Sequence, residues 1–194
     1  PVHLVARRDG AWLERGVRVI DGRFAFDDHP LAPGPLRELA AARFPPDIEY
    51  VSELNPAAEA LVATLAQRLA GGALAILDYG FPQAEYYHPQ RSDGTLVGHY
   101  RHRVHADPFL WPGLSDLTAH VDFTAMATAG HDAGLAVAGY ASQAGLLTAA
   151  GILDRLAVVG PPESAAYIRA AAAVQRLLSP AEMGELFKAL VLAR

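Results

Sequence analysis

An α/β fold follows from three features of the sequence. Short strand-like segments separated by Asp-Gly pairs open the chain, a capped amphipathic helix leads into an apolar run at Ala73 to Asp78, and a second helix-then-strand succession spans Phe123 to Ala141. Helices alternating with strands in this order read as crossover units.

The opening segments are Val2 to Arg7, Trp12 to Ile20 and Arg23 to Phe26, separated by Asp9-Gly10 and Asp21-Gly22. Glycine supplies the positive φ that two-residue hairpin turns require, so a small antiparallel meander is predicted. Pro30, Pro33, Gly34, Pro35, Pro45 and Pro46 then interrupt the backbone. They leave room for a short helix near Leu36 to Ala42 within a surface excursion.

Asn55 is a suitable N-cap and Pro56 suits the first helical position, while Ala58, Leu61, Val62, Leu65 and Leu69 form one apolar face that ends at Gly71. Ala73 to Asp78 lacks alternation, which predicts a strand covered on both faces in a parallel sheet. It ends at Asp78-Tyr79-Gly80 and opens a loop of about forty residues, longer than a compact domain uses without purpose. Asp122 is the candidate N-cap of a helix over Phe123 to Ala133 that Gly134 stops, and Leu135 to Ala141 reads as a strand. The tail predicts helices from Gln143 to Ala150 and from Ser164 to Leu178, a short helix opened by Ser179, Pro180 and Glu182, and a last strand from Leu186 to Ala193. A single domain over 1–194 is expected, with a β-meander and loop insertion at 1–50 and an α/β core at 51–194.

Composition narrows the function classes. Hydrophobic residues make up 52% and charged residues 19%, enough apolar content for a packed core. The longest apolar runs fall far short of the roughly 18 residues of a membrane span, so none is expected. A net charge of −5 lacks the electrostatic footprint of a duplex-binding protein, and no nucleic-acid partner is expected. The absence of cysteine excludes a disulfide framework, thiolate zinc sites and a cysteine nucleophile, and fits a reducing compartment. The chain opens at Pro1 without a basic and apolar leader, and reads as a trimmed or partial polypeptide.

The chemistry is expected between Leu77 and Phe123. Ligands in open α/β sheets bind beyond the carboxyl ends of the strands, and Asp78, Tyr79 and Gly80 stand at such an end. The bland alternative makes Asp78 a turn residue and Tyr79 a core residue. The following loop holds His88, His99, His102, His105 and His120 with Asp93, Asp107, Asp116 and Asp122, a density that permits acid/base chemistry, substrate orientation or metal ligation. If Gly98 to His105 is extended, His99, Arg101, Arg103 and His105 share one face able to hold a carboxylate or phosphate, or simply a solvated one.

An ordered series of motifs runs from about Leu54 onward. It comprises Asp78-Tyr79-Gly80, then Gly94-Thr95-Leu96 with Tyr100 and His102, then Asp116-Leu117-Thr118-Ala119-His120-Val121-Asp122-Phe123, then Gln143 before an apolar helix, and Met183-Gly184 with Phe187-Lys188. In this order and spacing the series resembles the carboxyl-terminal half of the MidA-like family of S-adenosylmethionine-dependent methyltransferases, whose mitochondrial members assist assembly of respiratory complex I. The resemblance implies a Rossmann-like class I methyltransferase sheet with a small antiparallel β insertion and a closing antiparallel strand pair. The sheet would be partial. The family's Gly-rich cofactor loop and acidic ribose contact lie upstream of the matched residues, no G-x-G-x-x-G occurs here, and Pro1-Val2 resembles the end of the family's Asn-Glu-x-x-Asp-Ala-x-Pro-Val motif.

The resemblance therefore implies S-adenosyl-L-methionine as the cofactor with its site upstream of this chain, and a chain that is inactive alone. It implies no cofactor-binding residue and no metal ligand among residues 1–194. A protein substrate is implied, with an arginine nitrogen as methyl acceptor, in the cytoplasm of a bacterium or the mitochondrial matrix of a eukaryote. Asp78, Asp116 and Asp122 are the candidate orienting or charge-stabilising groups, and His102 and His120 are candidate proton acceptors or loop organisers. Tyr79, Gly80, Gly94, Thr95, Tyr100 and Thr118 are the candidate substrate-binding residues. Two alternatives stand beside this reading: a metal-dependent hydrolase built on the His/Asp loop, and a non-catalytic assembly or scaffolding module.

Overall fold

The Asp-Gly pairs act as their composition predicts. In the computed structural model, which describes residues 1–194, Asp9-Gly10 and Asp21-Gly22 take φ values of 49° and 74°, and 49° and 76°. Both are left-handed at both positions, the backbone that joins right-twisted antiparallel strands. They connect β1 (His3–Arg8), β2 (Ala11–Ile20) and β3 (Arg23–Pro30). After α1 (Pro35–Arg43), whose proline presets φ for the first turn, the chain adds β4 (Tyr50–Leu54) beside β1. The sheet runs β3-β2-β1-β4 with Val5 opposite Ser52 and Val17 opposite Phe26. All five residues of β4 are buried, the most deeply covered strand of this sheet, and no strand is predicted there between the Pro-rich excursion and the first core helix.

The chain forms two compact units, Pro1–Leu61 with Pro82–Asp122 and Val62–Phe81 with Phe123–Arg194. It leaves the first within α2 (Pro56–Arg68), where the Asn55 side chain accepts from the Ala58 amide at 3.0 Å as the N-cap. The next strand, β5 (Ala73–Phe81), differs from expectation. Its exposed and part-buried residues alternate, Leu77 is 54% exposed, and its partner in the second unit is antiparallel. The missing alternation in its sequence reflects apolar residues on both faces, one of them open within residues 1–194. The strand continues through Gly80, so Asp78-Tyr79-Gly80 lies inside β5 and opens no turn.

Back in the first unit, the predicted long loop carries its own structure: α3 (Gln83–Tyr86), β6 (Val97–Tyr100), β7 (Arg103–His105), β8 (Asp116–Thr118) and β9 (Val121–Asp122). A small antiparallel sheet runs β7-β6-β8. The expectation of one extended segment over Gly98 to His105 fails because Arg101 and His102 turn at φ 49° and 62°, folding β6 back onto β7. Arg101 and Arg103 thus belong to a turn and the strand after it. Gly98 is required by close approach: a side chain there would run into the His105 ring.

The rest of the second unit follows the predicted order: α4 (Phe123–Asp132), β10 (Ala136–Ser142), α5 (Gln143–Ala149), α6 (Ile152–Ala157), α7 (Ala165–Leu178) and β11 (Phe187–Ala193). Ser142 caps α5 by accepting from the Gly145 amide, and Ser164 caps α7 by accepting from the Tyr167 amide. Both β10 and β5 pair antiparallel with β11, which lies between them. The unit packs around buried Phe123, Met126, Leu135, Leu190 and Leu192. The sequence does not anticipate α6. No helix forms from Ser179; the Glu182 and Gly184 amides instead donate to the Ser179 carbonyl in a turn. Gly184 closes it where any side chain would strike the Leu178 carbonyl. No helix is long and apolar enough to cross a membrane.

Candidate functional site

The best-ordered polar constellation in the first unit centres on a residue that sequence reasoning missed. Glu53, 1% exposed, projects from buried β4. One carboxylate oxygen accepts from the Thr95 and Leu96 amides at 2.8 and 2.7 Å. The other accepts from the hydroxyls of Thr95 and Tyr86 at 3.1 Å each and of Ser52 at 3.3 Å. Buried charge is tolerated only when so satisfied. Gly94 sets up this cradle. Its φ of 76° turns the following amides toward the carboxylate, and a Cβ there would lie 2.6 Å from the Glu53 oxygen.

The network extends into the predicted site. The Thr95 hydroxyl accepts from the His120 amide at 3.0 Å, and the Tyr86 hydroxyl also reaches the His120 carbonyl at 3.2 Å. Tyr86 loses its proton well above the ordinary phenol range, first because it is buried and second because of the Glu53 carboxylate. Tyr87 donates to the Glu53 carbonyl at 3.1 Å, and its pKa is raised by burial and then by the Asp122 carboxylate. Arg43, at the end of α1, makes a two-pronged pair with Glu59 at 2.9 and 3.1 Å and stands 3.9 Å from Asp122. Burial is the largest single influence and works against the Arg43 charge, but hydrogen bonding and charge attraction to Glu59, with a smaller part from Tyr87, together outweigh it and leave its pKa raised. Thr118 ends β8 with its hydroxyl oxygen buried and without a hydrogen-bond partner.

Gly94, Thr95, His120 and Asp122 are therefore drawn together around Glu53, Tyr86, Tyr87 and Arg43. The remaining candidates lie elsewhere. His102 sits in the β6–β7 turn, Tyr100 at the end of β6, and Asp116 on β8 opposite His99. Asp78, Tyr79 and Gly80 belong to β5 in the second unit, where the Asp78 carboxylate accepts from the Tyr79 amide at 2.8 Å and the Tyr79 ring meets Phe187 edge-on at 5.5 Å. Of the missed residues, Glu53 had one signal, an acidic residue next to apolar Leu54 and just before a strong N-cap. Arg43 and Glu59 had none beyond their charge.

No group of three or more His, Asp or Glu side chains converges as a metal-binding set. The hydrolase alternative has no donor cluster in this chain. Two strand-to-helix turns in particular do not offer the cradle that the sulfonium nucleoside of the resembled family would use. A nucleotide-type ligand uses an open, Gly-rich strand-to-helix turn. Here the turn into α2 is closed by Asn55 and the turn into α5 by Ser142, each capping its own helix.

Residues 1–141 match the model of a family of S-adenosyl-L-methionine-dependent methyltransferases. The chain belongs to that family. The MidA-like resemblance read from the motif series is thereby shown. A mitochondrial protein arginine methyltransferase of Mus musculus, NDUFAF7, is 31% identical over 96% of this chain and 42% of its own length. Its Danio rerio counterpart is 31% identical over 97% of this chain and 43% of its own. The chain thus spans less than half the length of these curated relatives. Among solved structures, a COG1565 superfamily protein from Burkholderia thailandensis bound to S-adenosyl-homocysteine is 49% identical with a TM-score of 0.93, covering all of this chain and 50% of that one. A native structure from the same organism gives 50% identity and a TM-score of 0.92. The mixed α/β fold with several sheets is accordingly that of a family methyltransferase.

Proposed function

We propose that this chain forms the acceptor-binding part of a protein methyltransferase that transfers the methyl group of S-adenosyl-L-methionine to an arginine nitrogen. The observation that carries the reading is the whole-chain likeness to a structure solved with S-adenosyl-homocysteine bound. The name of the mouse relative supports the acceptor. The capped helix turns support a cofactor site outside residues 1–194, in the remainder of the protein. Half-exposed Leu77 and Val137 on β5 and β10 support further chain covering that sheet.

An arginine acceptor asks for carboxylates that hold the guanidinium in one orientation and favour the proton-losing nitrogen. Asp122 in the first unit and Asp78 in the second are each a candidate for that orienting task. His120, held at both its amide and its carbonyl, is assigned to fix the loop that presents Asp122. Exposed His102 and Asp116 suit contact with the acceptor protein, as do part-exposed Tyr79 and Tyr100, while buried Gly80 can only shape the strand beside Tyr79. Glu53 with Gly94 and Thr95 keeps the segment in register.

The test is Asp78→Asn and Asp122→Asn in the full-length protein, with methyl transfer read by mass spectrometry and S-adenosyl-homocysteine binding by calorimetry. We expect at least one variant to lose about tenfold or more in kcat with cofactor binding retained. Unchanged transfer in both refutes the assignment. Tight binding of S-adenosyl-homocysteine by residues 1–194 alone refutes the placement of the cofactor site.

A further inference from the structure

The small sheet carries a cavity that the Glu53 network does not use. It has a volume of about 560 Å³ and is lined by Tyr100, Arg101, Arg103, His105, Leu110 and Trp111. The Tyr100 and Trp111 rings stand 4.6 Å apart, and the Arg101 guanidinium lies 5.3 Å from the Tyr100 ring centre. His105 props the wall. One ring nitrogen meets the Asp107 carbonyl at 2.8 Å and the other the Ser115 hydroxyl at 3.2 Å, fixing the segment that bears Leu110 and Trp111.

Two of the lining residues, Arg101 and Trp111, hold left-handed backbone at φ 49° and 52°, as does His102 at 62° in the turn between the two arginines. For a residue as bulky as tryptophan that conformation is uncommon and costs energy, and such residues gather where a surface must be held ready for a ligand. Trp111 nevertheless remains 49% exposed. Two exposed guanidinium groups also stand out in a chain of net charge −5. The nearest carboxylate in sequence, Asp107, is engaged by the Phe109 amide at 2.9 Å.

We propose that this cavity docks an acidic segment of the methyl-accepting protein, in which carboxylates flank an aromatic side chain. Arg101 and Arg103 meet the carboxylates, and the aromatic side chain enters against Trp111 and Tyr100. The volume falls in the ~300–1,000 Å³ range of sites that enclose a drug-sized ligand, larger than a lone phosphate requires, and the ring wall has no task with a small anion. Phe109 continues the wall toward Phe24 and Phe26 at 6.3 and 4.8 Å, giving an extended segment apolar surface beyond the cavity. The assignment to the accepting protein rests on the function proposed above; the chemistry of the pocket does not.

The experiment uses the full-length protein and two labelled pentapeptides, Glu-Asp-Phe-Asp-Glu and its neutral counterpart Gln-Asn-Phe-Asn-Gln, followed by fluorescence anisotropy. The acidic peptide should bind saturably and weaken with salt. Binding should drop about tenfold for the neutral peptide and for Arg103→Glu, alone or with Arg101→Glu. Equal affinity for both peptides, equal affinity of the charge-reversed protein, or displacement by equimolar inorganic phosphate overturns the proposal. Arg103 lies on the surface, so its variant tests recognition without unfolding the protein. In methyl transfer, Arg103→Glu should raise KM for the protein acceptor with kcat unchanged, and an unchanged KM overturns the link to the acceptor. Absence of methyl transfer by the unaltered protein would sink the functional reading and leave the peptide measurement to judge the pocket.

Discussion

Replacing Glu53 by alanine is the sharpest test of the network in the first unit. The substitution removes the acceptor of two backbone amides, at 2.8 and 2.7 Å, and of three hydroxyls. The hydroxyls can rotate, and Tyr86 already has the His120 carbonyl within 3.2 Å. The Thr95 and Leu96 amides cannot. An orphaned buried donor costs about 1–3 kcal/mol, so two give roughly 2–6, and we expect a loss of about 4 kcal/mol. At a urea slope of about 2 kcal/mol per molar, the midpoint moves by about 2 M. Glu53→Gln is the calibrating variant: its amide oxygen can serve both backbone amides while its nitrogen faces hydroxyls that turn to accept. Only the charge assistance is lost, about 1–2 kcal/mol. Urea unfolding followed by tryptophan fluorescence gives the two losses, and hydrogen exchange at Thr95 and Leu96 locates them. A loss below about 1 kcal/mol in Glu53→Ala, or undiminished protection of those amides, would refute the reasoning.

Other perturbations have equally definite outcomes. Gly94→Ala must hold a left-handed φ and displace the Glu53 carboxylate; we expect about 2–3 kcal/mol of destabilisation by urea unfolding, and no loss would mean the segment shifts freely. Arg43→Met removes the two-pronged partner of Glu59, so it should cost about 2–3 kcal/mol by urea unfolding, more than Arg43→Lys, which keeps the charge but not the two-pronged geometry. Burial pushes Tyr50 up to about 12, and Tyr86 and Tyr87 are also raised. The unfolded chain gives up these protons near pH 10 while the folded one keeps them. This contribution is complete below pH 10 and lost as pH rises through the folded values, and a Tyr50→Phe variant whose folded form shows less tyrosinate absorbance at pH 10 than the unaltered protein would contradict it. On the acid side, hydrogen bonding to Arg15 holds the Asp28 carboxyl below its usual range, so its contribution is present above the ordinary carboxylate pKa and fades as pH falls through the lowered one. Asp28→Asn should flatten that limb of the stability curve.

Where the sequence could be read, a local rule decided the geometry. Asp9-Gly10 and Asp21-Gly22 announce hairpins because glycine removes the steric cost of their turns, and Asn55-Pro56, Ser142 and Ser164 mark helix starts through capping chemistry. The family also followed from residues alone, since the motif series needs only order and spacing. What escaped depends on partners distant in sequence. Tyr50 to Leu54 is too short to separate from the Pro-rich stretch before it, and nothing near Glu53 foretells donors at Thr95 and Leu96. The β6–β7 turn was invisible because Arg101 and His102 adopt its left-handed backbone without a glycine to flag it. Asp78-Tyr79-Gly80 was read as the end of a strand that in fact continues to Phe81, because Asp and Gly commonly mark turns.

The interleaving of the two units bears on how the protein can be made. Glu53 leaves the ribosome before the amides that hold it, which lie 42 and 43 residues later. During that interval a buried acid has only water and Ser52 for company. In the second unit the separation is larger still for β5, whose partner strand β11 lies more than 100 residues later (Tyr79 opposite Phe187). Its sheet cannot close until the final strand emerges, so both units carry contacts of long sequence separation that are slow to form. A nascent chain leaves the β11-facing edges of β5 and β10 unpaired until Phe187–Ala193 emerges, an interval in which co-translational protection of those edges would guard against mispairing.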